Sequence, residues 1–380
     1  MLIFYAVTAA LIAGYGALLF RLIAGLGKLK PGRNAHQYTV SVIVAARNEE
    51  QNIRPCLDAL VQQTYPVSKY EIIIIDDRSS DSTATVVESY CQRFHHIKLA
   101  RVKSVPAGIA PKKNALQQGI AVSQGEIILT TDADCVPAPG WISAMVSYFE
   151  PSVGLVAGFS PLEQAKSQSV FTRLMTLDSL SLAAVAAGSF GMGRPLTCSG
   201  RNLGYRRETF HAVGGFKEFQ HFVSGDDDLL LHRIRQHSVW DMRYAATPEA
   251  IVRSLAPTNL RQFANQRIRH ASKGRFYAAS MVLGLIGVYL LNFNLLCLLL
   301  LSLTFNKYLL YWVALMILKS LPEFLLITRF ARFVNCTKIL RAFPWAMLAH
   351  VPYVVIFGLL GQLGKFQWKD ETFTPRANRT

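Results

Sequence analysis

The sequence predicts a mostly parallel α/β domain held between membrane-spanning helices at its two ends. Three observations predict it. Short, uniformly apolar runs alternate with helical patterns between residues 39 and 131, as in a parallel sheet covered on both faces. Long apolar stretches flank that region, each near the ~20 residues a spanning helix needs. Of 380 residues 51% are hydrophobic and 17% charged, which excludes a disordered chain and argues against a wholly soluble enzyme.

The elements follow in order. Met1 to Phe20 carries no Asp, Glu, Lys or Arg, and basic residues follow it (Arg21, Lys28, Lys30, Arg33). A secretory signal peptide places them before its apolar run, so an uncleaved anchor over residues 1–25 is expected. Thr39 to Ala46 (TVSVIVAA) reads as a first strand, ending at Arg47-Asn48-Glu49-Glu50, with a helical pattern after it through Gln63. Tyr70 to Ile75 (YEIIII) is a second strand, too short and Ile-rich for a helix. Asp81-Ser82-Thr83 caps a helix to about Arg93. His96 to Arg101 gives a third strand and Lys112 to Ser123 a third helix. Glu126 to Thr131 (EIILTT) is a fourth strand, closing at Asp132-Ala133-Asp134.

Val170 to Ala187 has Arg173 and Asp178 as its only charges. As a helix it either lies in the membrane interface, bringing a lipid acceptor to the site, or packs inside the domain. Phe276 to Asn306, Tyr308 to Thr328 and Phe343 to Gly364 complete the membrane set. The middle one is interrupted by Lys319 and Pro322-Glu323, and Lys319 and Glu323 stand four apart, where they can pair. The expected organisation is thus an anchor over 1–25, a domain over 31–275, about three helices over 276–364 and a tail over 365–380.

Forty Lys and Arg against 24 Asp and Glu leave a net charge of +16. The excess collects beside the apolar segments, from Arg21 to Arg33 and from Arg253 to Arg275, so it reads as a membrane-topology signal and not as a nucleic-acid surface. The rule puts 31–275 and the link from Arg329 to Arg341 in the cytoplasm, with Lys307 outside. Four spans would also put the tail outside, yet it carries Lys365, Lys369, Arg376 and Arg379 against Asp370 and Glu371. Either the last segment is re-entrant, or the number of spans within 276–328 differs. The six cysteines form no CxxC and no Cys/His cluster with zinc spacing, as suits reduced cytoplasmic thiols.

The chemistry lies in the carboxylates. Asp76-Asp77 closes the second strand, Asp132-x-Asp134 closes the fourth, and Asp226-Asp227-Asp228 opens a helical pattern. Any one of these alone is an ordinary turn residue or helix cap. Two of them after strands of one sheet converge on the crevice beyond the strands' carboxyl ends, where such sheets bind ligands. Converging like charges need a cation, and paired carboxylates suit a hard divalent metal that completes its shell with water and phosphate. A metal–diphosphate site is the expectation.

The order of the motifs resembles the family 2 inverting glycosyltransferases of the GT-A fold, in particular membrane-anchored members with a QxxRW element. VSVIVAARNEE resembles the first strand and nucleotide-contacting turn, IIIIDDRSSDST the DDxSxD segment, and TTDADC the DxD motif. CSGRNLGYRRETFHAVGGF resembles the acceptor-side GxN…GGF stretch and SGDDDLLLHRI the ED-type motif, and Gln266 to His270 (QRIRH) stands where QxxRW is expected. The resemblance spans about 40 to 275. It implies that Asp76 and Asp77 bind base and ribose, that Arg47 and Glu49 line the same pocket, and that Lys112 lies near the phosphates. Asp132 would approach the ribose and, with Asp134, hold Mg²⁺ or Mn²⁺. Gly200 and Asn202 would face the acceptor. Asp226 or Asp227 would be the base; holding the apolar helix or the acid pair in register gives different answers. Gln266 and Arg269 would close over the reactants, with His270 on the acceptor side in place of Trp.

The implied activity is transfer of a sugar, with inversion, from a nucleotide-diphosphate sugar to a lipid or membrane-associated acceptor, by a metal-dependent hexosyltransferase-type enzyme of the plasma (inner) membrane. The alternatives are a processive polysaccharide synthase and a non-catalytic nucleotide-binding membrane protein.

Overall fold

A computed structural model of the protein describes residues 2–163, 169–272, 274, 277–363, 366–368 and 371–373. Helix α1 (Leu2–Leu26) leads into an alternating series: β1 (Val40–Ala46), α2 (Ile53–Val61), β2 (Tyr70–Asp76), α3 (Thr83–Arg93), β3 (Ile97–Arg101), α4 (Pro111–Val122) and β4 (Ile127–Asp132). This is the expected alternation. The helix after β1 starts later than the apolar pattern suggests, because Asn48 turns the chain with φ 53°, a conformation Asn tolerates. At the start of α3, Asp81 is the residue whose side chain accepts the Thr83 amide, at 2.9 Å.

The second half of the domain comprises β5 (Cys135–Pro137), α5 (Trp141–Val146), β6 (Val153–Gly158), β7 (Leu162–Glu163), α6 (Val170–Gly191), β8 (Leu203–Arg206), α7 (Arg207–Ala212), α8 (Asp228–His237), β9 (Asp241–Ala245), β10 (Val252–Leu255) and α9 (Leu260–Ser272). Then come α10 (Ala279–Thr304), α11 (Lys307–Phe333), α12 (Phe343–Leu363) and an antiparallel pair, β11 (Phe366–Trp368) and β12 (Glu371–Phe373). The main sheet has the order β3-β2-β1-β4-β8-β6-β9. All its pairings are parallel except those of β8, which runs antiparallel to both β4 and β6. A smaller sheet has the order β5-β10-β7.

The apolar strands are buried on both sides, and their side chains alternate between two cores. Val42, Val44, Ile72, Ile74 and Leu129 face α2, α3 and α5. Ile43, Ile73, Ile75 and Ile128 join a second core that also takes in Leu22 and Leu26 of α1, the inner face of α6, and Leu326 and Phe330 of α11. The ends of the apolar terminal helices are thereby part of the domain's own core. Residue register fixes where the chemistry goes. Ala46 of β1 lies opposite Asp76 and Ala45 opposite Asp132, so these two acids end level, one strand to either side of β1 and about 10 Å apart.

Among the described residues five helices are long and apolar enough to cross a membrane by length and composition: those ending at Leu26, Gly191, Thr304, Phe333 and Leu363. The one ending at Gly191 is α6, and it has the domain on one side. The Thr176 hydroxyl donates to Leu162 O at 2.6 Å, Ser179 Oγ accepts the Leu162 amide at 3.2 Å, and Phe190 packs on Tyr244. On its other side α1 crosses so closely that a Cβ on Gly191 would lie 1.9 Å from Gly25 O. The segment therefore packs inside the domain, as one of the two readings expected. The stretch around Pro322 is one continuous helix, and the expected Lys319–Glu323 pair forms at 2.7 Å. Its further partners come from other helices: Tyr15 OH donates to Glu323 at 2.6 Å, and His350 Nδ1 lies 3.1 Å from Lys319 Nζ. No disulfide joins any of the six cysteines. Lys273, Arg275, Lys365, Lys369, Asp370, Arg376 and Arg379 of the topology argument lie outside the described residues.

Candidate active site

At the carboxyl ends of β1, β2 and β4 the sheet opens into an acid-lined cleft. Lys112, in the first turn of α4, sits between two acids from distant parts of the chain: its Nζ is 2.8 Å from Asp132 Oδ1 and 3.0 Å from Asp226 Oδ2. Burial alone would lower the lysine's pKa, but the two carboxylates hold it above the ordinary lysine value. Burial likewise works against a charged Asp132, and Lys112 outweighs it, so that Asp132 stays below the usual carboxylate range. Asp134 goes the other way. Burial, then Asp132, then Glu49 push it up to about 6.

The three consecutive acids divide their tasks. Asp226 faces the cleft and Lys112. Asp227 caps α8: its Oδ1 accepts the Asp228 amide at 2.7 Å and its Oδ2 the Gly200 amide at 3.1 Å. Asp228, 1% exposed, accepts from Thr197 Oγ1 (2.8 Å), the Cys198 amide (2.9 Å) and Tyr277 OH (2.8 Å). It fastens the segment leading to Gly200 and the link into α10 onto the same helix end. Gly200 packs directly on the acids, since a Cβ there would stand 3.0 Å from Asp226 Oδ2.

Lys113 was not expected to matter. It is buried, donates to Ser224 O at 2.9 Å and also to Phe222 O, and holds the loop that delivers Asp226. Only its position beside Lys112 hinted at this.

The predicted nucleotide side forms a second group. Arg47 and Glu49 lie in the turn after β1. That turn is stitched to the one after β2: Asn48 N donates to Ser79 Oγ (3.0 Å), Ser80 N to Asn48 Oδ1 (2.9 Å) and Glu49 N to Thr83 Oγ1 (2.8 Å). Asp76 accepts the Ser79 amide at 3.2 Å, and Asp77 pairs with Arg78 Nε at 2.9 Å; both acids are buried.

Asn202 lies apart from the cleft. It is fully buried, accepting from Trp141 Nε1 (3.0 Å) and donating to Phe159 O (2.8 Å) and Ala250 O (2.7 Å). The resemblance placed it on the acceptor side; here its polar atoms join β6, β8 and the turn before β10.

Helix α9 forms the roof. Arg269 lies within electrostatic reach of Asp132, Asp226 and Asp227, and burial lowers its pKa against their pull. His270, the next residue, is half-buried. Gln266 has a buried side-chain oxygen with no hydrogen-bond partner among the described residues. Arg267, between them, turns away into the helix bundle, where it pairs with Asp178 of α6 at 2.6 Å under Phe263. Arg201 was also unforeseen, although it stands inside the quoted GRN stretch. Its charge draws Asp132 and Asp134 toward ionisation.

Two carboxylates, Asp132 and Asp134, are positioned to hold a divalent cation, and no cluster of three or more His, Cys, Asp or Glu occurs among the described residues. A two-carboxylate donor set fits an ion that keeps water and takes diphosphate oxygens. The upward shift of Asp134 fits as well, because Asp132 and Glu49 crowd it with negative charge that a cation would offset.

Comparison with known proteins agrees with this geometry. Residues 41–214, somewhat less than half the chain, match the family model described as Glycosyl transferase family 2 and so carry a domain of that type. The chain is 32% identical over 183 residues to the probable glycosyltransferase YdaM of Bacillus subtilis, a match covering 47% of this chain and 43% of that protein. It is 32% identical over 184 residues to a beta-monoglucosyldiacylglycerol synthase of Trichormus variabilis, covering 47% and 38%. The chain thus spans less than half the length of these two relatives. Among solved structures, the mannosyltransferase PcManGT of Pyrobaculum calidifontis, in complex with GDP-Man and Mn²⁺, superposes with a TM-score of 0.60 at 19% identity, covering 91% of this chain and 99% of that one. That likeness shows the fold, which is α/β and GT-A-like.

Proposed function

We propose that the protein is a membrane-bound glycosyltransferase that moves a sugar, with inversion, from a nucleotide-diphosphate sugar to a lipid or membrane-associated acceptor. The observation that carries the proposal is the placing of Lys112 between Asp132, at the end of β4, and Asp226, before α8, with Arg269 within electrostatic reach of both acids. One acid of that group belongs to the donor side and the other to the acceptor side, and cations stand between them.

Asp226 takes the proton of the acceptor hydroxyl while that oxygen attacks the anomeric carbon, and the bond to the diphosphate breaks on the opposite face of the sugar. A positioned base contributes about 10²–10⁴-fold. Lys112, Arg201 and Arg269 meet the charge gathering on the diphosphate, where preorganised cations act most strongly. Asp76, Asp77, Arg47 and Glu49 form the nucleoside side. Asp132 and Asp134 hold Mg²⁺ or Mn²⁺, which when bound neutralises diphosphate charge. The solved relative with GDP-Man and Mn²⁺ supports a nucleotide sugar and a metal, and the glucosyldiacylglycerol synthase supports a lipid acceptor.

The test is incubation of membranes containing the protein with a panel of radiolabelled nucleotide sugars, followed by extraction with organic solvent. Label in the organic phase is expected. Label in an insoluble polymer points instead to a polysaccharide synthase, and no incorporation from any donor overturns transferase activity.

A further inference from the structure

Lys28 and Lys30 follow the last turn of α1, are exposed, and have no acidic partner among the described residues. Beside them opens a cavity of about 210 Å³, lined by both lysines together with Phe190, Trp240, Asp241 and Arg243. It sits at β9, the outermost strand, three places from β4 in the sheet, and is lined by Asp241 to Tyr244 of that strand. It is therefore remote from the cleft at the strand ends. Pockets for drug-sized ligands run to about 300–1,000 Å³, so this one suits a headgroup and not a nucleotide sugar.

Its charge is positive where it is unpaired. Asp241 is engaged by Arg243 Nη2 at 3.3 Å and by Ser152 Oγ at 2.9 Å, and Arg243 also approaches Glu150 at 3.9 Å. The lysines are left facing the cavity mouth with no such partner.

Depth along the helices places the cavity at headgroup level. Gly27 abuts Arg329 of α11; a Cβ on it would lie 2.7 Å from the guanidinium. Arg329 stands 23 residues past Asn306, the start of the turn into α11 at its far end, or about 35 Å at 1.5 Å per residue. The hydrocarbon core of a bilayer is about 30 Å thick, so Gly27, Lys28 and Lys30 emerge just beyond it. The rim of the cavity is amphipathic in the same sense. Val239 is 100% exposed, and the half-buried Trp240 beside it is a residue type that favours the membrane–water boundary.

We propose that this cavity binds the phosphate headgroup of an anionic membrane lipid, with Lys28 and Lys30 as its cations and Trp240 as its interfacial ring. The proposal rests on the reading that α1 crosses the membrane. Occupancy would seat the outer edge of the sheet on the bilayer surface and so fix how the cleft is presented to a membrane-borne acceptor.

The experiment uses the purified full chain in neutral detergent, titrated separately with short-chain phosphatidylglycerol, short-chain phosphatidylcholine and inorganic phosphate. Saturable binding of phosphatidylglycerol alone is expected. The Lys28→Gln/Lys30→Gln double variant should bind it roughly thirtyfold more weakly, since each lysine near the surface contributes about 1 kcal/mol and 1.4 kcal/mol is tenfold. Both lysines are exposed, so the variant should melt with the wild type. Unchanged affinity in the variant overturns the proposal, as does equal binding of phosphatidylcholine or of free phosphate. Alkaline carbonate extraction of the same preparations separates the two readings. A chain released by carbonate counts against α1 crossing the membrane, whereas a retained chain whose lipid affinity ignores the lysines counts against the lipid site alone.

Discussion

Asp226, Asp227 and Asp228 are adjacent in sequence and differ in what they touch, which makes them separable by one kind of substitution. Asp226→Asn keeps size and hydrogen bonding but cannot take a proton at neutral pH, so turnover should fall by about 10²–10⁴-fold, read as single-turnover transfer at saturating donor. Asp227→Asn retains one oxygen for the two amides that Asp227 now caps, so a modest loss of stability and a smaller rate effect are expected. If Asp227→Asn is the inactive variant and Asp226→Asn is not, the roles are reversed. Asp228→Asn can keep its bonds to Thr197 and Cys198 through its oxygen and donate its amide to Tyr277, and should be nearly silent. Asn202→Ala tests the opposite kind of residue. Removing it strips Trp141 Nε1 and the Ala250 carbonyl of their partner, at about 1–3 kcal/mol each, and leaves Phe159 O only the Val252 amide, so the melting temperature should drop while the rate per folded molecule holds. A rate loss without a stability loss would return Asn202 to the acceptor. Asp134→Ala should abolish transfer with folding intact, and chelation of the wild type should mimic it until Mg²⁺ or Mn²⁺ is restored; full turnover in excess chelator would remove the metal from the mechanism. Most of the cleft was legible in the sequence because its acids end strands, and strand ends are easy to read. The three partners of Asn202 were not legible, because the resemblance carries a residue's type but not which way its side chain turns.

Helix α6 shows what an element gains from neighbours that sequence pattern cannot name. Its apolar, nearly uncharged surface suits either a core or a membrane interface, and the structure packs it between the sheet and α1. The crossing depends on small residues: a Cβ on Gly188 would lie 2.7 Å from Leu22 O, and one on Gly191 1.9 Å from Gly25 O. Backbone stands on the far side of each contact and cannot give way as a side chain would. Gly191→Leu should therefore force α1 from α6 and lower stability in detergent by about 1–3 kcal/mol, the usual cost of overpacking. Gly14→Leu, on the partner helix α1, is the control, because nothing lies within 4 Å of a Cβ there. Equal melting of both variants would mean that the crossing contributes nothing. The first four strands of the domain were readable to within a residue or two because their apolar runs are short and end in polar turns, whereas β5 to β10 were not read. The crossing was not, because no periodicity in α1 or α6 says which glycine meets which backbone. Arg267 makes the same point, since its pairing with Asp178 joins α9 to α6 across 89 positions of sequence.

At the scale of the whole molecule the open matter is how many times the chain crosses the membrane. α6 cannot be a crossing, because β8 after it pairs with β4 and β6 before it, so both its ends lie on one side. That leaves α1, α10, α11 and α12, and four crossings would put the basic tail on the side opposite the domain. The contacts of α12 argue otherwise. It begins with Phe343 on Phe324, about 27 Å along α11 from the far turn; His350 meets Lys319 at about 20 Å, and Gly358 meets Tyr289 of α10 at about 25 Å. Three residues later Gly361 rests on Ala271 of α9, the helix that carries Arg269 over the cleft. The helix dips to mid-bundle and returns without approaching the turn at Asn306. This geometry predicts three crossings, α1, α10 and α11, with α12 lying across the bundle and the tail expected on the domain's side, where its lysines and arginines are favoured. Single cysteines in a cysteine-free background test this with an impermeant thiol label on intact cells. Asn306→Cys should react from outside, while Lys103→Cys, Lys338→Cys and Thr380→Cys should react only after permeabilisation. If Thr380→Cys reacts together with Asn306→Cys, α12 is a full crossing, and the basic tail sits outside against its charge.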